Sequence, residues 1–204
     1  MPIRAAVFDI GGVLEITPRT GWVEAWETRL NLRPGEIERR LGDVWRAGGI
    51  GRISEAGVVR SIQRRLELDH EQLAAFIDDM WAEYLGSLNV ELADYFRGLR
   101  PRYRTAIISN SFVGAREREQ QRYQLDTICD FIIYSHEVGL EKPDRRIFEL
   151  ACERLGVQPG EAIFLDDVEP YVAAAREVGM VAIHFRSTAQ AIAEIEACLH
   201  AAAS

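Results

Sequence analysis

Short, near-continuous apolar runs recur along this chain: Ile3 to Phe8, broken only by Arg4, then Thr105–Ile108, Phe131–Tyr134, Ala162–Leu165 and Met180–Phe185. Runs of this length without polar alternation read as strands buried on both faces of a parallel sheet. Helical stretches separate them. Arg145 to Leu155 places Ile147, Phe148, Ala151 and Leu155 on one face, Tyr171 to Val178 is Ala-rich, and Ala189 to Leu199 carries Ile192, Ile195 and Leu199 at helical spacing. Alternating strand and helix predicts right-handed crossovers and a doubly wound α/β sheet.

One connection breaks the rhythm. The first two runs are separated by roughly 90 residues, too many for a structureless loop in a compact domain. Helical stripes fill the gap: Trp22, Val23, Trp26 and Leu30; then Ile37, Leu41, Val44 and Trp45; then Val58, Val59, Ile62 and Leu66 behind a Ser54 N-cap; then Leu73, Phe76, Ile77, Met80, Trp81 and Tyr84 from Asp69 onward. Gly48-Gly49-Ile50-Gly51 punctuates the middle, and Val90 to Leu99 rejoins the core as a helix. The expected division is an α/β core over residues 1–14 and 89–204 with a helical insertion over 15–88. Its hinges are placed at Gly11-Gly12 to Arg19 and at Gly86 to Asn89.

The 204 residues are 48% hydrophobic and 27% charged, an ordinary globular composition. A net charge of −8 argues against a nucleic-acid partner but leaves room for a small anionic substrate at a local cation. Cys129, Cys152 and Cys198 show no CxxC spacing, so a disulfide framework or zinc site is not expected and a reducing, cytoplasmic setting fits. The opening MPIRAAVFDI does not read as a signal peptide, and no apolar run is long enough to span a membrane. No feature sets an oligomeric state.

Three of the runs lead into polar residues: Asp9, Ser109, and the pair Asp166 and Asp167. Ligands of open α/β sheets bind beyond the carboxyl ends of the strands, so these side chains are expected to converge, with Lys142 in Gly139-Leu-Glu-Lys-Pro-Asp144 nearby. Each motif has a bland reading. Asp9 can cap a turn, Ser109-Asn110 can cap a helix, and Lys142-Pro143 can start one with Pro at the first helical position. Together, and in order, they read as a site.

The motifs Val7-Phe8-Asp9-Ile10-Gly11-Gly12-Val13-Leu14, Ile107-Ile108-Ser109-Asn110, Lys142-Pro143-Asp144 and Phe164-Leu165-Asp166-Asp167, the last followed by Ala173 to Met180, resemble those of the haloacid dehalogenase-like (HAD) hydrolases. The insertion resembles the helical cap of the subclass holding sugar-phosphate phosphatases, haloacid dehalogenases and the phosphatase half of epoxide hydrolases. Gly51 to Ala56 is similar to glucose-1-phosphatase-like caps. The resemblance implies Asp9 as nucleophile and Mg2+ held by Asp9, the Gly11 carbonyl and Asp167, with Asp166 as ligand or support. It also implies that Ser109 and Asn110 contact phosphate and that Lys142 neutralises charge. The implied activity is Mg2+-dependent hydrolysis of a small phosphorylated metabolite, with sugar phosphates among the candidates. The alternatives are a metal-independent dehalogenase and a non-catalytic binding protein of the same fold.

Two positions depart from the phosphatase pattern. Gly11 stands where relatives carry an acid/base Asp, a group typically worth 10²- to 10⁴-fold in rate. This favours good leaving groups or a substitute acid, of which Glu15 is nearest in sequence. Tyr171 stands where relatives often have Asn. His136 is expected to be structural and in a loop, and His70 and His200 to lie at the surface. Trp22, Trp26, Trp45 and Trp81 are expected to be cap core, and Arg46 and Arg52 solvated.

Overall fold

The computed structural model describes residues 2–100 and 102–201. A five-stranded sheet forms from β1 (Ala5–Phe8), β4 (Arg104–Ser109), β5 (Phe131–Tyr134), β6 (Ala162–Asp166) and β7 (Val181–His184). The order is β5-β4-β1-β6-β7, and every neighbour pairs in parallel. The doubly wound sheet predicted from the apolar runs is therefore the observed fold.

Burial on both faces explains the unbroken hydrophobicity. Ala6 and Phe8 of β1 face one cluster with Phe96, Ile107, Leu165 and Ile195, where Phe8 stacks on Phe96 at 4.3 Å between ring centres. Ala5 and Val7 face the other, with Ile108, Phe148 and Phe164. The flanking helices are α5 (Val90–Leu99) and α10 (Thr188–Ala201) on the first side, α8 (Arg145–Leu155) and α9 (Glu169–Val178) on the second.

Helices α1 (Trp22–Arg29), α2 (Glu36–Gly49), α3 (Glu55–Leu66) and α4 (His70–Leu85) lie between β2 (Glu15–Ile16) and β3 (Ser87–Leu88). These two strands pair antiparallel, so the chain leaves and returns through a two-strand ribbon. The four helices bury their own cluster around Trp26, Ile37, Leu41, Ile62 and Phe76. Ser54 caps α3 by accepting from the Gly57 N–H, and Asp69 and Gln72 form a capping box on α4. Asn89 ties the return point to the core: its amide donates to the Val13 carbonyl and Thr188, and its oxygen accepts from the Leu92 N–H.

Two elements differ from the sequence reading. Helix α6 (Ala115–Tyr123), sequence AREREQQRY, was not anticipated. It is polar on every side and has no apolar stripe, because tertiary polar contacts hold it. The Tyr123 hydroxyl donates to the carbonyls of Leu85 and Gly86, and Arg118 pairs with Glu55 at 2.7 Å while lying 4.1 Å over the Trp81 ring. His136 sits in a short helix, α7 (Ser135–Val138), rather than a loop. Pro143 does not open α8, which begins at Arg145 behind an Asp144 cap.

Asn89→Ala removes a helix cap and two buried hydrogen bonds at once. It is expected to destabilise the protein by about 1–3 kcal/mol in urea unfolding, with little change in m-value.

Candidate active site

Strand register assembles the site. Phe8 pairs with Ile107 on one side and with Leu165 on the other, so β1, β4 and β6 end together and bring Asp9, Ser109 and Asp166 to one edge. Sheet order places β1 between strands reached by connections running in opposite directions, which is the switch point where α/β sheets form a crevice.

Lys142 is the centre of this edge. Only 2% exposed, its Nζ lies 2.7 Å from Asp9 Oδ1 and 2.6 Å from Asp166 Oδ2. The second Asp166 oxygen accepts from the Val168 N–H, and Asp9 Oδ1 also accepts from the Ile10 N–H. Burial pulls the Lys142 pKa down, but Asp9 and Asp166 outweigh it and the ammonium stays charged. Burial pushes the Asp9 carboxyl up, to about 7, with Lys142 opposing and Asp166 adding to the rise. Asp167 is raised as well, by burial and then by Asp166.

Asp9, Asp166 and Asp167 each present an oxygen within 4.8 Å of the others. One ammonium cannot balance three ionised carboxylates, and the donor set is all hard oxygen. Both features fit a small divalent cation such as Mg2+. The turn is shaped for close approach: Gly12 has φ +76°, and a Cβ there would meet Asp167 Oδ2 at 2.2 Å. Gly11 differs, since a Cβ there would meet nothing within 4 Å. The position where an acid/base carboxylate was looked for is empty space.

Ser109 is buried at the end of β4. The Asn110 side chain grips Lys142. Its Nδ2 donates to the Lys142 carbonyl at 2.8 Å, and its Oδ1 accepts from the Lys142 N–H at 2.7 Å, so the side chain clamps the lysine's own peptide. Its Nδ2 also reaches the Tyr171 hydroxyl at 3.2 Å, and the Tyr171 ring lies 5.2 Å from Lys142 Nζ. Tyr171 thus walls the buried ion pair and anchors the clamp. His136 Nδ1 lies 2.6 Å from Ser111 Oγ, and burial lowers its pKa, so it serves the packing of the turn beside the site.

Glu15, the nearest substitute acid in sequence, is buried beside Glu119, a carboxylate that sequence reasoning missed. Glu15 and Glu119 are almost fully enclosed, and each has one oxygen with no hydrogen-bond partner among the described residues. Burial raises Glu15 to about 9, Glu119 and Asp9 adding to it. Glu119 rises to about 7 through burial, against the hydrogen bond donated by the Tyr134 hydroxyl at 2.6 Å. Nothing in the charged run around Glu119 marks it as buried, because the helix there has no apolar periodicity.

The chain belongs to the haloacid dehalogenase-like hydrolases, a family it matches over residues 3–179. It is 26% identical over 227 residues to bifunctional epoxide hydrolase 2 of Sus scrofa, an alignment covering 96% of this chain and 39% of that protein. It is 26% identical over 187 residues to the D-ribitol-5-phosphate phosphatase of Bacteroides thetaiotaomicron, covering 87% of this chain and 89% of that one. A HAD-family enzyme of Bacteroides thetaiotaomicron, solved with magnesium and inorganic phosphate, superposes with a TM-score of 0.76 over 90% of this chain and 94% of that chain at 22% identity, a likeness of fold. Proteins named as phosphatases are thus among its relatives, and the chain spans 39% and 19% of the length of two of the curated relatives it matches. No helix among the described residues is long and apolar enough to cross a membrane.

The buried glutamate predicts a pH signature. Because the folded pKa of Glu15 lies above its unfolded value of 4.5, its contribution is fully present below that value and is lost as pH rises towards 9. Melting temperature is expected to fall between pH 5 and 9, with a slope contribution of up to about 1.4 kcal/mol per pH unit. Glu15→Gln flattens that slope and raises the melting temperature at pH 8; an unchanged slope would show that Glu15 titrates normally.

Proposed function

We propose that the chain is a Mg2+-dependent phosphatase of small phosphorylated metabolites, working in the cytoplasm through an aspartyl-phosphate. The observation that carries this reading is the Lys142 ammonium bridging Asp9 and Asp166 beside Asp167, with more carboxylate charge than the lysine can balance. Mg2+ would be held by Asp9, Asp167 and the Gly11 carbonyl, with Asp166 as ligand or support. It would screen the repulsion between an anionic nucleophile and an anionic phosphate.

The protein's own groups then divide the work. Lys142 and the Ile10 N–H both engage Asp9 Oδ1, leaving Oδ2 to attack phosphorus. As that bond forms, the bond from phosphorus to the leaving oxygen breaks, and the leaving group departs with its electron pair. Ser109 donates to a phosphoryl oxygen, and Lys142 steadies the charge that shifts onto Asp9 and the phosphate. Water then cleaves the acyl phosphate, returning the carboxylate and releasing inorganic phosphate. Asn110 acts indirectly, by fixing the Lys142 peptide so that Nζ reaches both carboxylates. Residues 15–88 act as a cap that excludes water and selects the substrate.

The dehalogenase alternative uses the same nucleophile without metal. It leaves three clustered carboxylates uncompensated, so the phosphatase reading is preferred. A purely binding role gives no reason to place Lys142 fully buried between two aspartates.

Phosphate release from acetyl phosphate should require Mg2+, stop with EDTA, and fall roughly 10⁴-fold or more in Asp9→Asn. Release that survives both treatments would overturn the reading. Lys142→Met should lose activity similarly but also stability, since two buried carboxylates lose their partner. Gly11→Asp has room for its side chain, and it should raise kcat on alkyl phosphates by about 10²-fold, towards the 10²–10⁴ typical of an acid/base group.

A further inference from the structure

A cavity of about 250 Å³ lies between the inserted helices and the turn that follows Ser109. Its wall is Trp22, Trp45, Met80, Trp81, Tyr84 and Phe112. The sequence reading assigned the tryptophans to the core of the insertion. Trp26 is buried and donates to Asp79, Trp22 and Trp45 pack against the same cluster, and Trp81 is buried; Trp22, Trp45 and Trp81 also line this cavity. The rings are set edge to face: Trp45 against Phe112 at 5.8 Å, Trp81 against Tyr84 at 5.1 Å and against Phe112 at 6.3 Å. Arg118 stacks on Trp81 at 4.1 Å and fixes its plane.

The cavity adjoins the chemistry. Phe112 and Ser111 follow directly on Ser109-Asn110, and the Tyr84 phenol feels the charge of Glu119, Glu15 and Asp9. Of its polar side-chain atoms, Ser111 Oγ is already committed to His136, and the wall is otherwise mostly ring and thioether surface. A polyol placed here would leave water for a wall with few free partners. A flat apolar group would be met by ring faces and edges on several sides. A cavity of ~150 Å³ is enough to take up benzene, so one ring fits with room for a substituent.

Gly11 points the same way from the other side of the reaction. Gly11 itself offers no acid to protonate the leaving oxygen, which favours groups that depart as stable anions. A phenol titrates near 10, whereas water itself lies at about 15.7, so phenolate leaves unprotonated far more readily than an alkoxide. We propose that the preferred substrates are aryl phosphate monoesters, their ring held in the aromatic cavity and the phosphate on Asp9. This rests on the phosphatase reading and narrows its substrate class. In the balanced step, Asp9 Oδ2 bonds to phosphorus, the phosphorus–oxygen bond to the ring breaks, and both its electrons leave on the phenolate, which takes a proton from solvent. Water then hydrolyses the acyl phosphate.

The test compares three substrates with the intact protein and Mg2+: phenyl phosphate, glucose 6-phosphate and acetyl phosphate, each also run with Asp9→Asn. Acetyl phosphate has a good leaving group and no ring, so it reports the phosphatase reading alone. The expected result is Asp9-dependent release from all three, with kcat/KM for phenyl phosphate at least 10²-fold above glucose 6-phosphate and a KM below that for acetyl phosphate. Trp45→Ala, checked for an unchanged melting temperature, should raise KM for phenyl phosphate at least tenfold, and Trp45→Phe should recover most of it. If no substrate is turned over, the phosphatase reading itself fails. If acetyl phosphate is hydrolysed but phenyl phosphate is no better than glucose 6-phosphate, the aryl assignment is overturned and the phosphatase reading stands. If the preference survives in Trp45→Ala with KM unchanged, the leaving group alone decides it and the cavity assignment is wrong; should that variant not fold, the same comparison is read from Met80→Ala.

Discussion

A lone ammonium buried in protein costs several kcal/mol, and so does a lone carboxylate. Lys142, Asp9 and Asp166 are all buried, and each is tolerable only because the others are within 2.7 Å of the ammonium. Much of the active edge follows from keeping that contact. The parallel register ends β1 and β6 level, so the two carboxylates are close enough to share one cation. Asn110 grips the lysine's peptide from both sides, and Tyr171 and Phe164 present rings to its ammonium. Gly12 lets the first turn press against Asp167. The lysine pairs two of three clustered carboxylates, and the excess negative charge is what a small divalent cation would offset.

The inserted helices meet the core through polar contacts and through the Phe112 ring, which packs against Trp45 and Trp81. The Gly49 carbonyl accepts from Ser135 Oγ at 2.7 Å, and a side chain at Gly51 would collide with the His136 carbonyl at 1.9 Å. Helix α6 adds a polar strap through Tyr123, Arg122 and Arg118. Glu15 and Glu119 lie along this junction with unpartnered oxygens, a polar cost carried where the two parts meet.

The missing carboxylate at Gly11 and the aromatic wall above the Ser109 turn act on the two ends of one problem. Without an acid to protonate the leaving oxygen, rate depends on the stability of the departing anion. On the proposed reading, rings lining the insertion favour groups in which that stability comes from an aromatic system. The chemistry of the core and the surface of the insertion are therefore consistent with each other, although they come from separate parts of the chain.

Much of this was legible in sequence because it depends on local pattern. Apolar runs buried on both faces identified the strands at β1, β4, β5, β6 and β7, and helical spacing identified α8 to the residue. Asp9, Ser109, Lys142, Asp166 and Asp167 stood out because a polar residue after a buried strand has little other reason to be there. What stayed hidden depends on contacts distant in sequence. Helix α6 has no apolar stripe, Glu119 looks like any surface glutamate, the Asn110 side chain gives no sign of its grip on the Lys142 peptide, and the spacing of Trp22, Trp45 and Trp81 does not show that they also line a cavity. Sequence by itself determined the strands, the insertion and the reactive side chains, since periodicity and residue chemistry are carried by neighbours along the chain. Only the tertiary structure decided which carboxylates share the lysine, which rings surround a cavity and which glutamates lose their water, because burial and electrostatic coupling are set by distances in space.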